Sequence, residues 1–257
     1  MDIVLIGSGN VATVLGRKSL AAGHRIVQVY SRNADHANVL ATRLGTNSTS
    51  YISSVERKTD LMIIAVRDNA VSHFVQEIGE VRSIIAHTAG ALSINAVRGS
   101  NKSFGVIYPL QSLRKEIDIV PPVTLLVEGN NPETRDLLVK YSASIANLVL
   151  EANDENRMKY HLAATIVNNF TNYLFTMTAS FCEKENISFS ILQPLMEETV
   201  IRLRNNTPQN TQTGAAIRND LDTIEKHRDL LNKYPDILNF YDSFTAEIQK
   251  SVLGFRL

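Results

Sequence analysis

The feature that constrains the fold of this chain most is a glycine loop directly after an apolar run. Residues 2–6 have the composition of a buried strand, and Gly7-Ser8-Gly9-Asn10-Val11-Ala12 follows and opens a helical pattern. In such a loop the first glycine permits a tight turn, and the second lets the backbone approach a pyrophosphate held by free helix amides. The motif predicts a dinucleotide-binding turn, and a ligand-free strand–helix turn is the alternative. The predicted contacts are Gly7, Ser8, Gly9, Asn10 and Val11.

The end of the next apolar run, residues 25–30, indicates which dinucleotide binds. Enzymes that use NAD place an acidic residue there to hold the ribose hydroxyls, but this run is followed by Ser31 and Arg32. Ser31 can donate a hydrogen bond to a 2′-phosphate, and Arg32 can add a charged planar fork. We therefore expect NADP(H). The alternative is that Arg32 is an exposed cation at the start of a helix.

The first part of the chain alternates apolar runs with helical patterns. The runs are rich in Val, Ile and Leu without polar alternation, which is typical of parallel strands buried on both faces. The predicted strands are residues 2–6, 25–30, 61–66, 83–87, 104–107, 123–127 and 148–151. The predicted helices are residues 10–22, 34–44, 70–78 and 132–146. This pattern predicts an α/β Rossmann domain over residues 1–152.

The remainder of the chain, residues 153–257, is predicted to be a second, all-helical C-terminal domain. Residues 154–184 form one helical pattern without Gly or Pro, and further helices are predicted at residues 190–204, 213–231 and 235–252. A polar break covers residues 205–210. A helix of about thirty residues is about 45 Å long, which is more than a small domain needs. We therefore expect a homodimer through the C-terminal helices.

Composition excludes several classes of function. Lys and Arg total 26, as do Asp and Glu, so no net charge draws the chain to nucleic acid or an anionic membrane. One cysteine and scattered histidines give no cluster with metal-ligand spacing, so no metal site is predicted. The first residues lack a signal-peptide pattern, and residues 61–66 are too short to span a membrane. We expect a cytoplasmic protein that acts on a small molecule.

Two further strand ends supply candidates for the reaction. Ala65, Val66 and Arg67 follow one strand and are predicted to border the nicotinamide, although an ordinary loop is equally compatible with Arg67. His87 ends another strand before a Thr-Ala-Gly turn. It is a catalytic candidate, and the alternative is a histidine whose nitrogens are bonded by the backbone.

The segment Tyr108-Pro109-Leu110-Gln111-Ser112 follows a further strand. Tyr108 is a candidate proton donor, although a tyrosine in such a loop is more often a packing residue. Gln111 and Ser112 offer neutral hydrogen-bonding groups that suit a carbonyl or carboxylate substrate.

The long helical pattern carries polar residues on one face, among them His161, Thr165, Asn168 and Asn169. Polar groups at such positions are costly when buried without partners, so they indicate either a site wall or hydrogen bonds between helices. Asn168 is the catalytic candidate on this helix, and His161 is a substrate-binding candidate.

The last motif, residues 213–220, precedes a helical pattern with Thr223 and His227 on one face. Arg218 and His227 are candidates for binding an anionic substrate. The alternatives are that they pair with nearby acids and that the motif is a structural connection.

Together these motifs resemble a family of NADP oxidoreductases that join a Rossmann-like domain to a helical C-terminal domain of uncharacterised function. The family is similar to pyrroline-5-carboxylate reductase, ketopantoate reductase and deazaflavin-dependent NADP reductase. The resemblance extends from Ile3 to His227 and also rests on Asn168-Asn169 and residues 213–220. It departs from the family pattern at four positions. The family has His at Tyr108, Ser at Ala89, Pro at Ala215 and Gly at Asn219.

The resemblance implies an NADP-dependent oxidoreductase, and its substrate stays open. Our main expectation is hydride transfer to or from a small carbonyl or imine compound. Because Tyr108 stands where the family has His, a non-catalytic NADP-binding sensor or interaction protein is the second hypothesis. A true ketopantoate or pyrroline-5-carboxylate reductase is the third.

Overall fold

The computed structural model describes residues 1–117 and 121–254, which form two compact units. The first unit is Met1–Phe170 and the second is Thr171–Leu257. The division falls later than the 152/153 boundary expected from the sequence. Its physical reason is that the helix after residue 153 is held to the sheet by the buried Arg157.

The first unit is built on one sheet of eight strands. They are β1 (Asp2–Ile6), β2 (Arg25–Tyr30), β3 (Asn47–Thr49), β4 (Leu61–Ile64), β5 (Ile84–His87), β6 (Phe104–Pro109), β7 (Thr124–Gly129) and β8 (Leu148–Glu151). The spatial order is β3-β2-β1-β4-β5-β6-β7-β8, and every neighbouring pair is parallel except β6 and β7. The order of the first six strands is that of the Rossmann fold, so the predicted α/β Rossmann class is confirmed.

Helices cover both faces of this sheet. On one face are α1 (Asn10–Ala21), α2 (Ala34–Leu44) and α4 (Pro132–Ile145), on the other is α3 (Asp68–Ile78), and α5 (Asp154–Ala164) follows β8. Alternate residues of β1 enter two separate apolar cores, Ile3 and Leu5 on one face and Val4 and Ile6 on the other. This is the burial that a strand without polar alternation predicts.

The register places the strand ends that matter at one edge of the sheet. Ile6 at the end of β1 is paired with Tyr30 on β2 and with Ile64 on β4, and Ile64 is paired with His87 on β5. The loops that follow these four strands therefore start side by side. Ligands bind at this carboxyl edge in open parallel sheets.

The second unit is helical, as the sequence predicts. It contains α6 (Thr171–Lys184), α7 (Gln193–Arg202), α8 (Pro208–Thr211), α9 (Ala215–Arg218), α10 (Leu221–Leu231) and α11 (Pro235–Gly254). No helix in the described part of the chain is long and apolar enough to cross a membrane.

Two helical predictions need correction. Residues 154–184 are helical as predicted, but Thr165–Phe170 adopt π-helical geometry between α5 and α6. The helix predicted over residues 213–231 is divided, because Asn219 has a left-handed backbone with φ 54° and ends α9. Asp220 then starts α10 by accepting a hydrogen bond from the Thr223 amide.

Candidate active site

The glycine loop has the geometry of an anion-binding turn. Gly7 has φ +117°, and a Cβ there would lie 2.2 Å from the Ala65 carbonyl oxygen, so only glycine fits. A Cβ at Gly9 would meet no atom within 4 Å, so its outer side is open. The first turn of α1 contains no acidic residue, and Gly9 provides no side-chain cap. The amides at the start of α1 are therefore available to a pyrophosphate.

A cleft of about 440 Å³ opens in front of this loop. All ten residues predicted to contact the cofactor line it: Gly7, Ser8, Gly9, Asn10, Val11, Ser31, Arg32, Ala65, Val66 and Arg67. The loops after β1, β2 and β4 bring them together because those strands end side by side. A dinucleotide fits this donor set, and the role of each residue stays a prediction.

The end of the cleft near Ser31 is polar on one side and aromatic on the other. The hydroxyls of Ser8 and Ser31 are 3.0 Å apart, and the rings of Tyr30 and Phe74 lie 5.5 Å apart at a tilt. Burial, and then the charge of Glu77, raises the pKa of Tyr30. This end can accept a ribose with its phosphate and flank a flat base.

Sequence reasoning missed one wall of this cleft, which α3 provides. Ala70, His73, Phe74 and Glu77 line it, and their spacing of three and four places them on one helix face. That spacing, behind Arg67 at the start of α3, is the signal that could have identified them. His73 and Glu77 approach to 3.6 Å.

A second cleft, of about 530 Å³, also lies within the first unit. It brings together the predicted residues Tyr108, Gln111, Ser112, His161 and Asn168. Tyr108 lies at the end of β6 and Gln111 and Ser112 in the loop after it, and α5 and the π-helical segment provide the others. Tyr160, Thr165 and Asn169 complete its polar lining. A π-helical segment widens a helix locally and is frequent at functional sites.

Tyr108 and His161 form a hydrogen-bonded pair in the second cleft. The Tyr108 Oη and His161 Nδ1 atoms are 2.8 Å apart, and the two rings meet edge to face. Burial, and then the charge of Asp68, raises the pKa of Tyr108. The phenol therefore keeps its proton at neutral pH and can act as an acid. The sequence identified both residues but not their pairing, because they are 53 positions apart.

The turn after β5 lines the first cleft and contacts residues of the second. Thr88 and Ala89 line the first cleft. A Cβ at Gly90 would lie 2.7 Å from His161 Nδ1 and 2.9 Å from Tyr108 Cζ. Glycine is thus required for the pair to approach the turn. Tyr108 of the second cleft therefore lies beside the wall of the first cleft.

The catalytic prediction for His87 needs correction. His87 is fully buried and lines neither cleft. Its Nδ1 accepts a hydrogen bond from the Ala89 amide, and its Nε2 lies 3.2 Å from the Ser93 carbonyl oxygen. Burial, and then the charge of Arg157, lowers its pKa to about 4. A neutral His87 therefore holds the turn, which is the alternative that the sequence left open.

Arg157 is the most deeply buried charge of the first unit and fixes α5. Its guanidinium lies 2.7 Å from Glu128 on β7 and 2.5 Å from Asp154, and it donates to the Leu92 carbonyl oxygen. These contacts tie the start of α5 to the sheet and to the segment after Gly90. His161 stands one helical turn further along α5.

Arg218 and His227 belong to the second unit, so the structure groups neither with the first-unit clefts. The Arg218 guanidinium is exposed and lies 4.0 Å from Asp220. His227 Nδ1 lies 3.0 Å from Tyr241 Oη and lines an apolar groove of about 590 Å³. Their expected contact with a substrate stays a prediction.

Comparison with known proteins places the chain in a family. The model of a family described as "NADP oxidoreductase coenzyme F420-dependent" matches residues 2–90, and that of a domain of unknown function, DUF2520, matches residues 123–248. The crystal structure of a "putative NADP oxidoreductase" from Bacteroides fragilis is 32% identical, with TM-score 0.90, over 97% of this chain and 98% of that one. The chain belongs to the same NADP oxidoreductase family as the Bacteroides fragilis protein. Its membership confirms the enzyme class and the NADP dependence expected from the sequence.

More distant structures share the fold of family members. A reductive aminase from Aspergillus terreus, in complex with NADPH and ethyl-5-oxohexanoate, is 15% identical with TM-score 0.71 over 100% of this chain and 99% of that one. An imine reductase from Myxococcus stipitatus, in complex with NADP+, is 14% identical with TM-score 0.65 over 99% and 95%.

Proposed function

We propose that this protein is an NADP(H)-dependent reductase that transfers a hydride to a small carbonyl or imine compound. The observation that carries the proposal is the shared turn after β5. It borders the glycine-loop cleft through Ala89 and contacts the Tyr108–His161 pair through Gly90. A hydride donor in one cleft and a proton donor in the other would thus act on the same substrate.

The first cleft holds the cofactor in this proposal. The amides of Ser8, Gly9 and Asn10 bind the pyrophosphate, and Ser31 and Arg32 bind the 2′-phosphate. Ala65, Val66 and Arg67 border the nicotinamide, which supplies a hydride when it is bound in reduced form. The support for this arrangement is the open side of Gly9 and the clustering of these residues in one cleft.

The second cleft supplies the proton. As the substrate carbon gains a bond to hydrogen, the π bond to oxygen or nitrogen breaks and its electron pair takes the proton of Tyr108. His161, 2.8 Å away, can then give the phenolate a proton from Nδ1 while its Nε2 takes up a proton from solvent. Asn168, Gln111 and Ser112 orient the substrate by neutral hydrogen bonds.

Oxidation of NADPH by a panel of aldehydes, ketones and cyclic imines tests the proposal. We expect turnover of at least one class. In Tyr108→Phe the loss of the proton donor should lower kcat by about 10²- to 10⁴-fold, while NADPH affinity stays unchanged. If NADPH binds but no compound of the panel oxidises it, the protein is a non-catalytic NADP-binding protein and the proposal fails.

The second unit supports the proposal of a homodimer through the C-terminal helices. Large apolar side chains are exposed along and before α7, with Ile191 at 76%, Leu195 at 64% and Val200 at 66% exposure. Exposed apolar patches of this kind mark interaction surfaces. A second copy of the chain would cover them.

A further inference from the structure

We infer that the second cleft binds a substrate that carries no carboxylate or phosphate, so that the reducible group is part of a compound without anionic charge. The inference rests on the proposed function and names the class of substrate that the cleft accepts.

The lining of the cleft is polar and, apart from the imidazole of His161, its described residues carry no charged group. Among the residues that the structure describes around it, none is Lys, Arg, Asp or Glu. Amides and hydroxyls provide the hydrogen-bonding capacity, and they belong to Gln111, Asn168, Asn169, Ser112, Thr165 and Tyr160. Such groups suit a carbonyl, a hydroxyl or an amide of a substrate.

The asparagines retain most of this capacity for a ligand. The contact between Asn168 Nδ2 and Asn169 Oδ1 is 3.5 Å long and therefore weak. The amide of Gln111, in contrast, already donates to the Pro122 carbonyl oxygen and accepts from the Ser112 amide. Gln111 thus shapes the loop and keeps only part of its hydrogen-bonding capacity for a substrate, whereas both asparagines of the π-helical segment are exposed in the cleft.

The cations of α5 are engaged elsewhere. Arg157 is 1% exposed and lies between Glu128 and Asp154. Lys159 Nζ lies 2.5 Å from Glu155. In the loop after β6, the amide of Lys115 donates to Asn10 Oδ1, which directs that part of the loop to the cofactor cleft.

An anionic substrate would find no arginine or lysine among the described residues that line this cleft. Sites that bind carboxylates normally provide Arg or Lys, because a desolvated and unpaired anion is costly. The charge that develops on the reducible group itself is removed by the proton of Tyr108, so the reaction needs no fixed cation for it.

Matched substrate pairs test the inference in the full-length protein. Cyclohexanone and 4-oxocyclohexanecarboxylate share one reducible group and differ by a carboxylate, and a cyclic imine with and without a ring carboxylate gives a second pair. We expect kcat/KM to be at least about 100-fold higher for the uncharged member of a pair, because no cation compensates the anion.

A charge placed in the cleft should reverse the preference. Ser112→Arg should raise kcat/KM for the carboxylated member, whereas the uncharged control Ser112→Gln should not. A wild-type preference for the carboxylated member would overturn the inference and leave the reductase function standing. If NADPH binds and neither member of any pair is reduced, the reductase function fails, and the inference fails with it.

Discussion

At the scale of single residues, Tyr108 is the proposed proton donor. The family pattern has His where this tyrosine stands, and here His161 lies 2.8 Å behind the phenol. An imidazole is therefore still present in the second cleft, in contact with the phenol. Because burial raises the pKa of Tyr108, the phenol remains protonated over the neutral range.

Another prediction at the scale of single residues concerns Arg32, whose side chain is expected to select NADPH over NADH. Arg32→Ala should weaken NADPH binding by about 10- to 100-fold through the loss of one charge-assisted contact. NADH binding should not change. The measurement is fluorescence titration with each cofactor, and Arg43→Ala, an exposed α2 arginine outside the cleft lining, is the control. An equal loss for both cofactors would show that Arg32 does not contact the 2′-phosphate.

At the scale of elements, the turn between β1 and α1 contains two glycines with different expected roles. Gly7 is required by the fold, and Gly9 is expected to be required for cofactor binding. Gly9→Ala adds a methyl group to the open side of the loop, so it should abolish cofactor binding and change the free energy of unfolding by less than about 0.5 kcal/mol. Gly7→Ala should destabilise the fold by at least about 2 kcal/mol, because φ +117° and the Ala65 carbonyl oxygen exclude a Cβ. Urea denaturation with a NADPH titration measures both effects. Similar losses of stability in the two variants would contradict this assignment.

The turn after β5 should make stability depend on pH. An ordinary histidine has a pKa of about 6.5, and burial lowers that of His87 to about 4. Between these pH values only the unfolded chain takes up this proton, so the free energy of unfolding falls as pH falls. We expect His87 to contribute a loss of about 2 kcal/mol between pH 7 and pH 5. Urea denaturation of the wild type and of His87→Gln should show a shallower dependence in the variant, and equal slopes would disprove the role of His87.

Elements with a strong local pattern could be predicted from the sequence, and those fixed by tertiary contacts could not. β1, β2 and β8 have the predicted bounds because Val, Ile and Leu dominate them. β3, with the sequence Asn-Ser-Thr, has no apolar signal and pairs only along the edge of β2. Likewise the π-helical segment is not encoded in any local spacing of Thr165–Phe170.

The residues of the candidate site also fall into two groups. Local motifs predict some of them, and the packing of distant segments determines the contacts of the others. The glycine loop and Ser31-Arg32 are local motifs, so the loops of the cofactor cleft could be predicted, whereas its α3 wall could not. The contact of Tyr108 with His161 and the burial of His87 depend on how distant segments pack. Sequence spacing therefore identified residues that line the second cleft but not their partners.

At the scale of the whole molecule, the expected homodimer is the property with the clearest solution test. Light scattering at micromolar concentration should give twice the mass of the chain. Leu195→Glu, on the exposed side of α7, should shift the protein toward monomer by placing a charge in the interface. Val39→Glu makes the same change at an exposed apolar position of α2 and should leave the dimer intact. A monomeric wild type would refute the dimer.

The proposed reductase function requires the first cleft to bind NADP(H). Calorimetric titration of the wild-type protein with NADPH and NADH side by side tests this directly. We predict tight binding of NADPH at one site per chain and binding of NADH that is weaker by about 10-fold or more, because Ser31 and Arg32 are expected to contact the 2′-phosphate. Equal affinities, or no heat of binding with either cofactor, would contradict the account.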